Sequence, residues 1–160
     1  MKVVIGSDKS GFVLKEAVKA YLKEQQYDFI EIGTTDPRSP VPFFEVAPQA
    51  AELIQAGEAD KGILICGTGM GMAQVANKYR SIRAACVESV YAARMCRAIN
   101  DSNVLCMGGW LIGAEMGIEM SKVFLETEFT QGLEEWRQKH LENAKKQFAA
   151  LEGRIYLEEK

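Results

Sequence analysis

The chain has 160 residues, of which 48% are hydrophobic and 26% are charged, and its formal net charge at pH 7 is −3. This length and composition predict one globular domain over residues 1–160 that is large enough to bury a core. The slight negative charge argues against a nucleic-acid partner, and no apolar run approaches the roughly 18 residues of a transmembrane helix. The apolar stretch at the start is too short for a signal peptide, so no membrane partner is expected.

The first half of the chain alternates short apolar runs with amphipathic segments. Strands are predicted at 3–5, 29–32 and 62–65, and helices at 12–24 and 43–56. A loop with several prolines separates the second strand from the second helix. Each strand is therefore followed by a turn and a helix before the next strand begins.

The second half continues this alternation. The pattern predicts strands at 83–87 and 104–107 and helices at 73–78, 89–98, 112–125 and 134–151. Five buried strands, each followed by a helix, predict an α/β fold, a three-layer Rossmann-like domain with a five-stranded parallel sheet and helices on both faces. No strand is evident beneath the last helix. It is expected to pack either in the interface with a second subunit or on the edge of its own domain.

The four cysteines form no CxxC pair, which argues against a zinc site. They are interpreted as reduced thiols of a cytoplasmic protein. Three of them, Cys86, Cys96 and Cys106, are predicted to be small buried hydrophobic side chains. No metal site is therefore expected.

Ligands of open parallel sheets bind beyond the carboxyl ends of the strands. Two polar turns, 7–11 and 66–69, are predicted to lie there. A third turn, 99–103, joins them if the helix before it ends on that side. The first turn is not GxGxxG and the chain has no GxxxxGK[ST], so nucleotide-binding Rossmann and P-loop functions are disfavoured.

Cys66 and the glycine-rich turn after it, residues 66–71 (CGTGMG), are the most informative segment. An anion or a developing oxyanion can be held by backbone N–H groups at the start of the next helix, which here belong to Gly67, Gly69, Met70 and Gly71. The same partial positive charge favours the thiolate of Cys66. The segment thus offers a base or nucleophile beside an anion site. The alternative is a buried thiol that ends a core strand.

Four further residues could complete a site, and each has a simpler alternative. Asp8 could orient a ligand hydroxyl or cap the first helix, and Lys9 could pair with an anion or be solvated. Asn100 could donate to a substrate oxygen or hold its own turn. Arg137, which shares a helix face with His140, could clamp a phosphate or belong to an ordinary charged surface.

Together these segments resemble the type-B ribose-5-phosphate isomerases, a family that includes the galactose-6-phosphate isomerase subunits. The resemblance covers residues 1–144 and is carried by residues 6–11, 62–71, 76–78, 82–84 and 100–105 (GSDKSG, GILICGTGMG, ANK, IRA and NDSNVL). It implies a Rossmann-like fold and a homodimer or homotetramer whose active sites lie between subunits. It also implies interconversion of phosphorylated aldoses and ketoses, without a metal or organic cofactor.

The resemblance further implies roles for individual residues. Cys66 would take the proton from the carbon next to the carbonyl and return it to the adjacent carbon. The N–H groups of residues 67–71, with Thr68 and Asn100, would stabilise the enediolate. Asn100 and Arg137 would come from the neighbouring subunit. Because a cis-enediolate needs one base and donors for both oxygens, this scheme is chemically coherent.

Several positions depart from the family pattern. Lys9 replaces a histidine of the ribose-5-phosphate isomerases, and Ile99 replaces the histidine that opens the sugar ring. Two of the usual arginines are replaced by Trp110 and Leu133, which leaves Arg137.

These departures favour a short, open-chain substrate. A four-carbon sugar with phosphate on O4 cannot close a furanose ring, so its isomerase needs no ring-opening group. The bulk of Trp110 would also narrow the pocket, which again favours a substrate such as an erythrulose phosphate. Fewer arginines also leave open a substrate without phosphate, a partner-dependent or non-catalytic subunit, and a small-ligand-binding module. The intact Cys66 turn argues against a non-catalytic role.

Overall fold

The computed structural model describes residues 1–157 and contains one five-stranded parallel sheet. The strands are β1 (Lys2–Ser7), β2 (Asp28–Gly33), β3 (Lys61–Cys66), β4 (Ala84–Cys86) and β5 (Val104–Gly108). Their order in the sheet is β2-β1-β3-β5-β4, and every neighbouring pair is parallel. This arrangement confirms the predicted Rossmann-like α/β class.

Helices cover both faces of the sheet. The helices are α1 (Phe12–Glu24), α2 (Phe43–Gln55), α3 (Met70–Ala76), α4 (Val90–Ala98), α5 (Ala114–Glu126) and α6 (Glu135–Leu157). One hydrophobic cluster joins one face of the sheet to α1, α4 and α5, and a second cluster joins the other face to α2 and α3. None of the helices within residues 1–157 is both long and apolar enough to cross a membrane.

The central strand β3 shows why the sequence of this fold lacks strict alternation. Ile63 and Ile65 belong to the first cluster, whereas Leu64 and Cys66 belong to the second. Both faces of the strand are buried, so positions 63–66 are all apolar. This packing fixes the direction of β3 and brings Cys66 to its carboxyl end.

Several helix boundaries differ from the prediction, and three of the differences are informative. Helix α3 begins at Met70 rather than residue 73, because Gly69 adopts a left-handed conformation (φ +80°) and turns the chain directly into the helix. Helix α5 begins at Ala114 rather than residue 112, because the preceding segment folds back onto Gly108, whose carbonyl accepts N–H groups from the two residues before Gly113. Helix α6 extends to Leu157, beyond the predicted end at 151.

Helix α6 contacts its own chain largely through polar groups. The Ser81 N–H donates to Glu152 Oε1 at 2.6 Å, and the Tyr156 hydroxyl donates to the Lys78 carbonyl at 2.9 Å. Large apolar side chains of the helix are left exposed to solvent in the single chain, namely Trp136, Phe148, Leu151 and Ile155.

Candidate active site

Three turns meet where β1, β3 and β5 end. The Asp8 N–H donates to the Ile65 carbonyl at 3.2 Å, and the Gly109 N–H donates to the Cys66 carbonyl at 2.7 Å. The turns also touch each other, because a Cβ atom on Gly109 would lie only 2.6 Å from the carbonyl oxygen of Ser10. This convergence confirms that the turns at 7–11 and 66–69 share the carboxyl edge of the sheet.

Cys66 is the last residue of β3 and is only 5% exposed. Its Sγ accepts a hydrogen bond from the N–H of Gly69 at 3.2 Å. Glycine is required at position 69 for two reasons. Its φ is +80°, which favours glycine, and a Cβ atom there would lie 2.9 Å from both Cys86 Sγ and the carbonyl carbon of Met107. The glycine therefore permits a turn in which a backbone N–H points at the sulfur of Cys66.

The rest of the turn leads into α3. Thr68 Oγ1 lies 3.4 Å from the N–H of Met70 and accepts its hydrogen bond. The Gly67 carbonyl accepts the Trp110 N–H at 3.0 Å, which ties the turn to the segment after β5. The Gly67 N–H and the Gly71 N–H belong to the same turn and helix start, so the four predicted residues and Thr68 all lie within five positions after Cys66.

Asp8 and Lys9 lie in the turn after β1. Asp8 Oδ1 accepts the Gly11 N–H at 3.0 Å and so holds the turn that precedes α1. Lys9 is exposed, and within residues 1–157 it makes no ion pair. Both residues are thus at the Cys66 edge, with one Asp8 oxygen committed to the turn.

Asn100 lies at the opposite edge of the sheet, so the conditional placement of the 99–103 turn beside Cys66 is wrong. The Asn103 carbonyl accepts the N–H of Gly62, near the start of β3, at 2.8 Å. Cys66 lies four residue steps beyond Gly62 along the strand, which is about 13 Å. The cause is topological. A helix between two parallel strands runs back across the sheet, so the turn after it enters the next strand at the edge where strands begin.

Arg137 lies near the start of α6, on the segment that leaves the same edge as Asn100. That segment is anchored by the Thr130 N–H, which donates at 2.9 Å to the carbonyl of Ala98, the last residue of α4. The predicted site residues therefore fall into two groups. The Cys66 turn, Asp8 and Lys9 are at the edge where strands end, whereas Asn100 is at the edge where strands begin.

A second thiol, Cys86, lies beside this turn, and the prediction that it is a buried side chain is wrong. Cys86 is partly exposed, unlike Cys96 and Cys106, and its Sγ donates to the Thr68 carbonyl at 3.5 Å. Burial, and then the nearby Cys66 and Glu88, raise the pKa of the Cys86 thiol. Cys86 is therefore held as a neutral thiol that supports the turn, while the predicted burial of the other two is confirmed.

The fold and the carboxyl edge of its sheet define a class of α/β enzymes. In this class the thiol at the end of a central strand, here Cys66 of β3, lies beside a glycine-rich turn. The Ribose/Galactose Isomerase family model matches residues 3–141. The 4-deoxy-4-sulfo-D-erythrose isomerase of Clostridium sp. (strain MSTE9) is 60% identical over 156 residues, 98% of each chain. D-erythrulose-4-phosphate isomerase 2 of Mycolicibacterium smegmatis is 38% identical over 81% of this chain and 86% of its own.

A solved structure agrees with these relatives. Ribose-5-phosphate isomerase B of Clostridium thermocellum superposes with a TM-score of 0.85 and 34% identity, over 97% of this chain and 99% of that one. The chain belongs to the ribose/galactose isomerase family. It is accordingly an aldose–ketose isomerase with the Rossmann-like fold of that family.

Proposed function

We propose that the protein interconverts an open-chain four-carbon aldose and its ketose, each with an anionic group on C4, and that 4-deoxy-4-sulfoerythrose is the preferred aldose. The observation that carries this proposal is the combination of an ordered Cys66–Gly69 contact with Ile99 next to Asn100. The first supplies a base for isomerisation, whereas an isoleucine cannot move the proton that opens a sugar ring.

The substrate chemistry fits this combination. A furanose of a four-carbon aldose closes through O4, which a phosphate ester blocks and a C4 sulfonate replaces. Either sugar stays open and needs no ring-opening group. The names of the two relatives, a sulfoerythrose isomerase and an erythrulose-phosphate isomerase, support a four-carbon substrate.

The charge of the site favours the sulfonate. A phosphate monoester carries about −1.5 to −2 at pH 7, whereas a sulfonate carries a single negative charge. Trp110 and Leu133 are uncharged, so Arg137 is the arginine assigned to the anion. One arginine matches a monoanion better than a dianion.

The proposed reaction moves one proton between neighbouring carbons. The Cys66 thiolate removes the proton from C2, the freed electron pair forms the C1=C2 double bond, and the carbonyl pair moves onto O1. The thiol then returns the proton to C1, while the hydroxyl proton of O2 passes to O1. N–H groups of residues 67–71, with Thr68 and Asn100, stabilise the enediolate oxygens. Asp8 orients a substrate hydroxyl.

The active site is proposed to lie between two chains of a homodimer, or of a homotetramer built from such dimers. The support is the separation of Asn100 from Cys66 within one chain, together with the exposed apolar side chains of α6. Asn100 and Arg137 of one chain would act beside Cys66 of its neighbour. Each chain, 1–160, would be one cytoplasmic isomerase domain, with the helix predicted at 134–151 in the interface.

A substrate panel tests the function. The purified protein is incubated in deuterium oxide with 4-deoxy-4-sulfoerythrose, erythrose 4-phosphate and ribose 5-phosphate, and deuterium incorporation and ketose formation are followed by NMR. The sulfonate should give the highest kcat/KM and ribose 5-phosphate the lowest. A preference for ribose 5-phosphate would refute the open-chain argument. No turnover by the purified protein would favour a partner-dependent subunit.

A mixing experiment tests the shared site. Cys66→Ser and Asn100→Ala chains are each expected to be nearly inactive, and equal amounts are dissociated and reassembled together. Half of the dimers then contain both chains, and each of these has one intact site of two, so about a quarter of wild-type activity should return. No recovery in verified mixed dimers would contradict the shared site.

A further inference from the structure

The Trp110 side chain lies on the turn that carries Cys66. A Cβ atom built on Gly67 would meet three atoms of the indole ring at 2.8–2.9 Å, so the ring rests against the Gly67 backbone. The main chain that carries the ring is anchored to the same turn, since the Trp110 N–H donates to the Gly67 carbonyl and the Gly109 N–H donates to the Cys66 carbonyl. The indole is thus held one residue away from the thiol.

Trp110 is 71% exposed in the single chain. Tryptophan provides a broad rigid face at low entropic cost, and an exposed large apolar side chain beside a functional group marks a surface for contact. The indole is therefore available to contact a ligand that reaches Cys66. Leu111, the next residue of the same turn, is 52% exposed.

We propose that Trp110 is a specificity-determining residue that limits the sugar to four carbons. The indole would form the wall that the chain of the sugar touches as it extends away from Cys66. A five-carbon substrate has one further CHOH group, whose hydroxyl would be pressed against a ring face that cannot pair with it. This inference rests on the proposed function, and it assigns the length limit to one side chain.

The test compares two open-chain ketoses with the same anion. These are 4-deoxy-4-sulfoerythrulose and 5-deoxy-5-sulforibulose, neither of which can close a furanose ring because the oxygen needed at C5 is absent. Conversion to aldose is followed by NMR for the wild type, Trp110→Phe and Trp110→Ala. Leu111→Ala is the matched control, because it removes an exposed apolar side chain from the next position on the same turn.

The wild type should prefer the four-carbon ketose by about 10- to 200-fold in kcat/KM, the range that one extra group commands in a close-fitting site. Trp110→Ala should reduce this preference at least tenfold, mainly by lowering KM for the longer ketose. Trp110→Phe should lie between the two, and Leu111→Ala should keep the wild-type ratio.

The outcomes separate this inference from the proposed function. If the wild type does not convert the four-carbon ketose, the proposed function fails and the inference fails with it. If it does, but Trp110→Ala retains the wild-type ratio or loses activity equally on both ketoses, the inference alone is overturned. Light scattering on each variant checks assembly, and a smaller assembly with an unchanged ratio would identify Trp110 as an interface residue instead.

Discussion

Replacing Asp101 with asparagine should destabilise the protein through one buried charge. Asp101 follows Asn100 and has a left-handed backbone (φ +50°). Its carboxylate accepts hydrogen bonds from Arg97 Nη1 at 2.9 Å and Arg83 Nη2 at 3.3 Å, and it pairs with Lys145 Nζ at 2.5 Å. The carboxylate thus links α4, the start of β4 and α6 beneath Asn100.

The size of the effect follows from burial of the partners. Asparagine has nearly the same shape and tolerates the left-handed backbone, so the substitution removes mainly the charge. Arg97 is 7% exposed and loses its buried counter-charge, a change that costs about 3–5 kcal/mol when no partner remains. Arg83 and Lys145 reach solvent and contribute little. Since asparagine can still accept from Arg97, we expect a loss of about 2–3 kcal/mol.

The pH dependence gives a second signature. Burial acts to raise the pKa of Asp101, but the hydrogen bonds and charges of Lys145 and Arg97 outweigh it, so the pKa lies below its ordinary value of 3.8. A depressed folded-state pKa stabilises the protein above the unfolded-state pKa, and this contribution is lost as the pH falls through the folded-state value. The stability difference between wild type and Asp101→Asn should therefore be constant from about pH 7 to 5 and shrink below about pH 4.

The assay is urea unfolding at one fixed chain concentration, because assembly contributes to stability. Asp36→Asn is the control, since the Asp36 side chain is 43% exposed and pairs with Arg38, which is 90% exposed. It should leave the unfolding midpoint nearly unchanged. A difference below about 0.5 kcal/mol for Asp101→Asn at pH 7, within the range of ordinary surface changes, would refute the buried-charge reasoning.

Three further substitutions test the candidate site. Cys66→Ser should lower kcat by about 10²–10⁴-fold and leave ligand binding largely intact, because a hydroxyl is a much weaker base than a thiolate; steady-state kinetics and isothermal titration measure the two effects. Gly69→Ala should lower kcat by roughly ten- to a hundredfold, because its Cβ would collide with Met107 and move the N–H from Cys66 Sγ. Gly57→Ala, with φ +73° and no atom within 4 Å, is its control, and should cost about 1–2 kcal/mol of stability without changing kcat. Arg137→Ala should raise KM at least about tenfold, as expected for loss of a charge-assisted anion contact, and an unchanged KM would remove Arg137 from anion recognition.

The residues that the sequence placed correctly are those whose position follows from burial. Ile63, Leu64 and Ile65 are apolar because both faces of β3 are covered, and a polar turn directly after such a run must lie at the carboxyl edge. Helix α3 begins three residues before its predicted start at residue 73. The start depends on the backbone conformation of Gly69, which the spacing of apolar residues does not indicate. The contact between Trp110 and Gly67 joins segments far apart in the chain, so local pattern could not supply it.

Asn100 shows a different kind of limit. The residue type alone indicates that Asn100 can donate an amide N–H. Its distance from Cys66, however, depends on the direction in which α4 crosses the sheet. The alternation of strands and helices already contained that information, because a helix between parallel strands must return the chain to the opposite edge. That rule alone predicts that Asn100 and Cys66 lie at opposite edges of the sheet.

The positions lost and the positions kept favour a catalyst over an inactive subunit. By the resemblance to the family, Ile99, Trp110 and Leu133 would stand where a ring-opening histidine and two phosphate-binding arginines are usual, and an open-chain sulfonate would require none of these groups. The Cys66 turn, by contrast, has a specific backbone feature. Gly69 adopts a left-handed conformation against Met107, and this conformation lets its N–H donate to Cys66 Sγ. A buried structural thiol needs no such donor. The Gly69 donor is therefore expected to serve the reaction of Cys66, so that Gly69→Ala should impair turnover more than stability.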